Sequence, residues 1–195
     1  MKNQLDKTVY KSEDKSIPAS DKAFYYPINS FLDAVDNQFA ELKVILLAKE
    51  DEYSTADANT TAFMDELATI INGKVSTIQY VIINTAFSED KAIHEHLMGK
   101  IIDEIEVGTH IIADITYGPK DLPIIVFSAL SFAEKFLECE IDNILYGQSS
   151  FSNGSAINTK LCDMVPLFYL SSVTNMVHAD SPDKARHLLN SLLSM

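Results

Sequence analysis

The chain has no tryptophan, only two cysteines and a single arginine, Arg186, and each shortage excludes something. Cys139 and Cys162 are too few for a disulfide framework, and neither belongs to a C-x-x-C pair of the kind that holds zinc or cycles between redox states. Both are expected as small core residues. No apolar run reaches the roughly 20 residues of a membrane-spanning helix, and no apolar segment follows Met1-Lys2. The chain is therefore expected to have no membrane partner and to lie in the cytoplasm. Also missing are a G-x-G-x-x-G after any strand-like run and a P-loop, so the common dinucleotide and triphosphate signatures do not apply.

Positive charge is scarce too: 15 Lys+Arg against 28 Asp+Glu leave a formal net charge of −13. Long nucleic acid is held by many Lys/Arg–phosphate contacts, and this surface repels it. A compact anion needs only one lysine, a few backbone N–H groups and a helix N-terminus, so a small nucleotide is still admissible.

What is present suits one well-filled domain: 195 residues, 47% hydrophobic. Residues 1–23 are polar and lysine-rich, and read either as an arm or as a first strand near Thr8-Val9-Tyr10 with a long loop. From Phe24, helical spacing runs through Tyr25, Ile28, Phe31, Leu32, Val35 and Phe39, with Pro27 in the first turn. Leu42–Ala48 reads as a buried strand followed by a polar loop, 49–55, whose Glu50-Asp51-Glu52 run is a solvated face. A helix is expected over 60–71 with Gly73 as its stop, and a strand over Val75–Thr85. Ser88-Glu89-Asp90 is a cap signal for a helix reaching about Glu106, ended by Gly108. On it, His94 and His96 are two apart, point to different sides and make a poor metal pair; both are expected at the surface. His110, His178 and His187 are scattered and are expected to be structural.

The most informative stretch is Thr109–Leu130. His110–Thr116 is an apolar run without alternation, the mark of a strand buried on both faces. The breaker pair Gly118-Pro119 follows, and a helix restarts at Leu122 with Asp121 placed to cap it and Pro123 in its first turn. Ligands of open α/β sheets bind at such strand–turn–helix junctions, at the carboxyl ends of strands. The turn brings Asp114, Thr116, Tyr117, Gly118 and Lys120, with a hydroxyl donor, a glycine that allows close backbone approach and one cation. Many strand–helix turns carry a Gly and a Lys, so a solvated turn with Asp114 bonded to its neighbours is the competing reading. Beyond it come a strand over 141–146 closed by Gly147, a Ser/Asn/Gly loop over Gln148–Thr159, a helix over 165–177 and a capped amphipathic helix from Ser181. Strands alternating with helices predict an α/β fold: a Rossmann-like, mainly parallel sheet flanked by helices, with a C-terminal helical extension.

The run D-I-T-Y-G-P-K-D-L-P-I-I, Asp114–Ile125, resembles the D-I-T-H-G-x-[RK]-x-x-P signature of CARF domains, the CRISPR-associated Rossmann-fold sensors of cyclic oligoadenylate in type III antiviral defence. F-Y-Y-P-I-N-S-F-L (24–32) is similar to that family's early helix, L-K-V-I-L-L-A-K-E-D (42–51) to its second strand and loop, N-I-L-Y-G (143–147) to a late strand, and 162–175 to its closing helix. The resemblance implies a CARF-like ligand-sensing domain over 1–178 and a helix over 179–195 leading to an effector domain fused in a longer protein. It implies a homodimer holding one ring, tetra- or hexa-adenylate, across its two-fold axis, with no cofactor and no metal.

By position, the resemblance implies ligand contacts from Asp114, Thr116, Tyr117, Gly118, Pro119 and Lys120. Tyr10 and Ser12 of the first-strand region, Lys49 and Glu50 after the second strand, and Gly147 join them. Some members of the family also cleave the ring without metal, the ribose 2′-hydroxyl attacking the adjacent phosphate, and Lys120 is then the catalytic residue. The family's histidine is Tyr117 here, which does not carry protons at neutral pH, so sensing is expected over cleavage. A dimeric interaction module without a nucleotide is the third expectation.

Overall fold

In a computed structural model, the described residues are 6–14, 17–36, 39–50, 56–86, 90–152, 155–176 and 178–193. The described elements are β1 (Lys11–Ser12), α1 (Pro27–Ala34), β2 (Phe39–Lys49), α2 (Ala56–Ile71), β3 (Val75–Thr85), α3 (Lys91–Glu104), β4 (His110–Asp114), α4 (Leu122–Phe136), β5 (Glu140–Ser152), β6 (Ser155–Asp163), α5 (Val165–Met176) and α6 (Pro182–Leu193). The protein is α/β and Rossmann-like: β2 and β3 pair in parallel, β4 and β5 pair in parallel, β1 runs parallel to β6, and only β5–β6 is antiparallel.

The apolar strands pack on both faces but are less buried than expected: the residues of β4 after His110 are half-buried, and Ile82 of β3 is 47% exposed. Leu42, Val44, Leu46, Ile78 and Tyr80 pack with Phe31 and Leu32 of α1 and Phe63, Leu67 and Ile70 of α2. Ile45, Leu47, Val81 and Ile83 pack on the other side with Leu97 and Ile101 of α3 and Leu122, Ile125 and Ala129 of α4. Ile111, Ala113, Ile141 and Ile144 meet Phe127 and Leu130 of α4 and Phe168 of α5. Among the described residues the strands form two sheets, β1-β6-β5-β4 and β2-β3, with helices packed against both.

Four expected elements change in extent or position. The first helix is only Pro27–Ala34, not 24–39: Tyr26 is extended (φ −118°, ψ 134°), as a residue before proline is driven to be, and Phe39 already opens β2. The loop expected over 148–159 is instead the antiparallel hairpin of β5 and β6, with Ser152 opposite Ser155. Asn153-Gly154, the dipeptide that favours tight hairpins, carried that signal, although these two residues lie outside the described ones. The helix expected from 60 begins at Ala56. The first strand is the short Lys11–Ser12 rather than Thr8–Tyr10, and it lies at the edge of its sheet beside β6.

Asp90 caps α3 by accepting the Ala92 N–H at 2.7 Å, while Ser88, Glu89, Asp51, Glu52 and Val177 lie outside the described residues. Asp121 does not cap α4 with its side chain. Its carboxylate turns to α3 instead, where Oδ2 lies 2.6 Å from His94 Nε2, at an angle outside hydrogen-bond geometry. His94 is thus a half-buried link between two helices rather than a free surface residue. Cys139 is buried and Cys162 half-buried. No helix among the described residues is long and apolar enough to cross a membrane.

Candidate functional site

The junction of β4 and α4 is built by Asp114 and Thr116. Asp114 Oδ1 accepts the Thr116 N–H at 2.9 Å, and Oδ2 accepts the Ile28 N–H at 3.1 Å, in the first turn of α1. One carboxylate thus closes its own turn and satisfies a donor at the α1 N-terminus, where negative charge is favoured. Burial pushes the Asp114 carboxyl up, and the N–H groups of Thr116 and Ile28 offset part of that rise. Thr116 Oγ1 in turn accepts the Gly147 N–H at 2.8 Å, tying the turn to β5.

Gly147 is where four segments meet. A Cβ there would lie 2.4 Å from Pro27 Cγ and 3.2 Å from both Thr116 Cγ2 and Tyr10 Cε1. Only glycine admits this packing. Gly118 is constrained differently: its φ is +121°, and a Cβ would come within 2.6 Å of Leu122 Cδ2.

Around these posts stands a group of tyrosines. Tyr10 and Tyr117 both donate to the Tyr25 carbonyl, at 3.2 and 3.1 Å, and their hydroxyls are 3.4 Å apart. The Tyr117 ring meets Tyr26 edge-on, centroids 5.7 Å apart, and Tyr26 meets Phe63 likewise at 5.1 Å. Burial raises the phenols of Tyr10 and Tyr117, and it pushes Tyr26 up to about 12. These phenols are protonated at neutral pH and act as hydrogen-bond groups, not bases.

Beneath them Glu66, buried on α2, accepts the Tyr25 N–H through both oxygens at 3.1 and 3.2 Å and the Asn29 amide at 2.9 Å. Lys7 closes the group, 3.2 Å from Glu66 Oε1 and 4.7 Å from the Tyr25 ring centroid. Lys7, Tyr25, Tyr26 and Glu66 were not singled out by sequence. Tyr25-Tyr26-Pro27, an aromatic pair ahead of a helix-opening proline, was the only available signal.

The outer rim is open to solvent. Tyr117 is 42% exposed, and Gly118 and Lys120 are exposed. Among the described residues the backbone N–H groups of Tyr117, Gly118, Lys120 and Asp121 take no acceptor, and Lys120 makes no ion pair. Unengaged N–H groups beside one cation are donors that an anion can use.

The structure therefore brings together Tyr10, Asp114, Thr116, Tyr117, Gly118, Pro119, Lys120 and Gly147. Ser12 lies in the same cross-strand row, because Ser12 pairs with Leu161 and Leu161 with Gly147; its hydroxyl donates to the Asp14 carbonyl at 2.8 Å. Lys49 closes β2 and Glu50 follows it. Glu50 lines a cleft of about 360 Å³ with Asn84, Thr85, His96 and Lys100, whose described lining includes none of the turn residues.

No protein-family model matches this chain, and comparison with curated proteins returns no match. The junction combines neutral phenols, a half-buried carboxylate that shapes the turn, and a rim of unengaged N–H groups with one lysine.

Proposed function

We propose that the protein is a sensor of cyclic oligoadenylate in type III CRISPR antiviral defence, a homodimer that binds one ring across its two-fold axis at the β4–α4 turns and regulates an effector. The observation that carries this reading is the rim of the turn, where the Tyr117, Gly118, Lys120 and Asp121 N–H groups have no acceptor among the described residues beside the exposed Lys120. A phosphate set there gains backbone donors and a cation despite the acidic average field of the chain. Tyr117 offers an exposed aromatic edge next to it, suited to a nucleobase. The motif resemblance of Asp114–Ile125 supplies the identity of the ligand; the geometry supports only an anion with an aromatic neighbour.

Metal-independent cleavage of the ring is the second reading. It asks for in-line geometry and a cation at the developing charge, which Lys120 supplies. The raised tyrosines disfavour a general base at the turn, and this favours sensing. A third reading, an interaction module without nucleotide, draws on the exposed Leu167 and Leu170 of α5 and Leu188, Leu192 and Leu193 of α6.

The test is calorimetry with cyclic tri-, tetra- and hexa-adenylate, followed by chromatography of the same samples. Tight binding of one ring, recovered intact and weakened by Lys120→Ala, supports the sensor. Linear products assign cleavage. Absence of binding to all three rings overturns the nucleotide reading and leaves the interaction module.

A further inference from the structure

At the far ends of β4 and β5 from the turn, a second group of chemistry-bearing side chains converges. His110 opens β4 and Glu140 opens β5, and the two are directly paired in the parallel register. The register then slips: Ile111 faces Ile141 but Ile112 faces Asn143, so Asp142 is an extra residue on β5. Such a bulge re-aims the side chain it carries. Here His110 Nδ1 lies 3.0 Å from Asp142 Oδ1 and 3.8 Å from Glu140 Oε2. One ligand atom from each of the three residues lies within 4.8 Å of the other two.

From these distances we infer that His110, Glu140 and Asp142 form an open binding site for a divalent transition-metal ion, Zn²⁺ foremost. Metal–ligand bonds of about 2.0–2.2 Å place neighbouring ligand atoms about 3–3.5 Å apart, so the observed spacing closes onto an ion by side-chain adjustment alone. All three residues are exposed, which leaves the remaining coordination positions to water.

Charge points the same way. Among the described residues the only cationic group paired with Glu140 or Asp142 is His110. When His110 coordinates through a neutral imidazole, the two carboxylates have no counter-charge, and one divalent ion balances both. The donor set selects within the divalent ions: an imidazole nitrogen with carboxylate oxygens suits zinc and its neighbours, whereas magnesium and calcium prefer oxygen alone. An ion here would join the first residues of two adjacent core strands. The competing account is a plain surface ion pair, with a protonated His110 shared by two carboxylates.

The site does not depend on the nucleotide reading and is tested without nucleotide. Zinc chloride is titrated into the metal-free full chain by calorimetry, and cobalt(II) absorption reports the coordination geometry. The expected result is one equivalent bound, undisturbed by excess magnesium. His110→Gln and Asp142→Asn should each weaken it by about tenfold or more, as even outer-shell losses at metal sites do. Because His94, His96, His178 and His187 also offer nitrogen, His178→Gln serves as the control and should bind as the parent does. The metal-free melting temperatures of the variants confirm that each is folded. No binding by the parent chain, or binding unchanged in both His110→Gln and Asp142→Asn, overturns the site and leaves the ion pair.

Discussion

The Asp114 carboxylate accepts the Ile28 N–H at 3.1 Å, so the end of β4 holds the beginning of α1, 86 positions earlier in the chain. At the other end of that helix, Lys74 Nζ donates to the carbonyls of Leu32, Asp33 and Val35 at 3.2, 3.3 and 2.8 Å. A short helix of eight residues is thus bracketed by charge of the sign that each terminus favours.

Asp114→Ala should leave the Ile28 and Thr116 N–H groups without an acceptor. A donor left unsatisfied in a buried site costs about 1–3 kcal/mol, and as these two are half-buried a loss toward the low end is expected in urea unfolding. Asp114→Asn should lose less, since it retains one acceptor and removes a buried charge. Equal losses in the two variants would contradict this account of the carboxylate.

Lys74→Met keeps most of the aliphatic stem and removes the ammonium. Loss of about 1–2 kcal/mol is expected from the three carbonyls and the helix terminus, read as a lower urea midpoint with an unchanged slope.

Gly147→Ala forces a methyl to within 2.4 Å of Pro27 Cγ. Overpacking of this kind costs about 1–3 kcal/mol, and calorimetric melting should show it. If the rim binds an anion as proposed, the same substitution should also weaken ligand binding, because Thr116 and Tyr10 must shift with Pro27. Lys120→Ala should instead abolish or strongly reduce ring binding at an unchanged melting temperature, as Lys120 is exposed and outside every described ion pair.

The raised tyrosines fix the sign of an alkaline effect. A phenol whose folded value lies above the ordinary value near 10 keeps its proton longer in the folded chain than in the unfolded one. Stability contributed by Tyr10, Tyr26 and Tyr117 is therefore fully present below about pH 10 and falls as pH rises beyond it. A pH series of unfolding midpoints, read with tyrosinate absorbance, should show a folded protein losing stability before these phenols ionise. Early ionisation without loss of structure would contradict the burial of the group.

Much of the architecture was legible because apolar runs end at punctuation. Val75–Thr85 and the start of α4 at Leu122 were readable from unbroken Val/Ile runs and from Gly118-Pro119. Hydropathy did not show the β5–β6 hairpin, because its Ser, Asn and Thr residues carry no contrast between faces; only the dipeptide Asn153-Gly154 marked it. Sequence located the β4–α4 turn, yet it could not supply Glu66 or Lys7. Glu66 reaches Tyr25 across 41 positions, and nothing in local spacing announces such a contact. His110 looked isolated for the same reason. Its carboxylate partners arrive on the next strand, 30 and 32 positions later, one of them through a bulge.

The edge position of the first strand bears on the order in which the chain becomes itself. Val9 and Thr8 are held by Thr159, across 150 and 151 positions, and Lys11 aligns with Lys160. During synthesis at about 5–20 residues per second, the Thr8–Ser12 segment waits many seconds for the strand it will join. Closing so long a loop is slow. The parallel pair β2–β3 and its covering helices form from nearer neighbours. The Tyr10 side of the β4–α4 junction is thus completed only after β6 is made, and until then the nascent chain lacks the wall that Tyr10 provides.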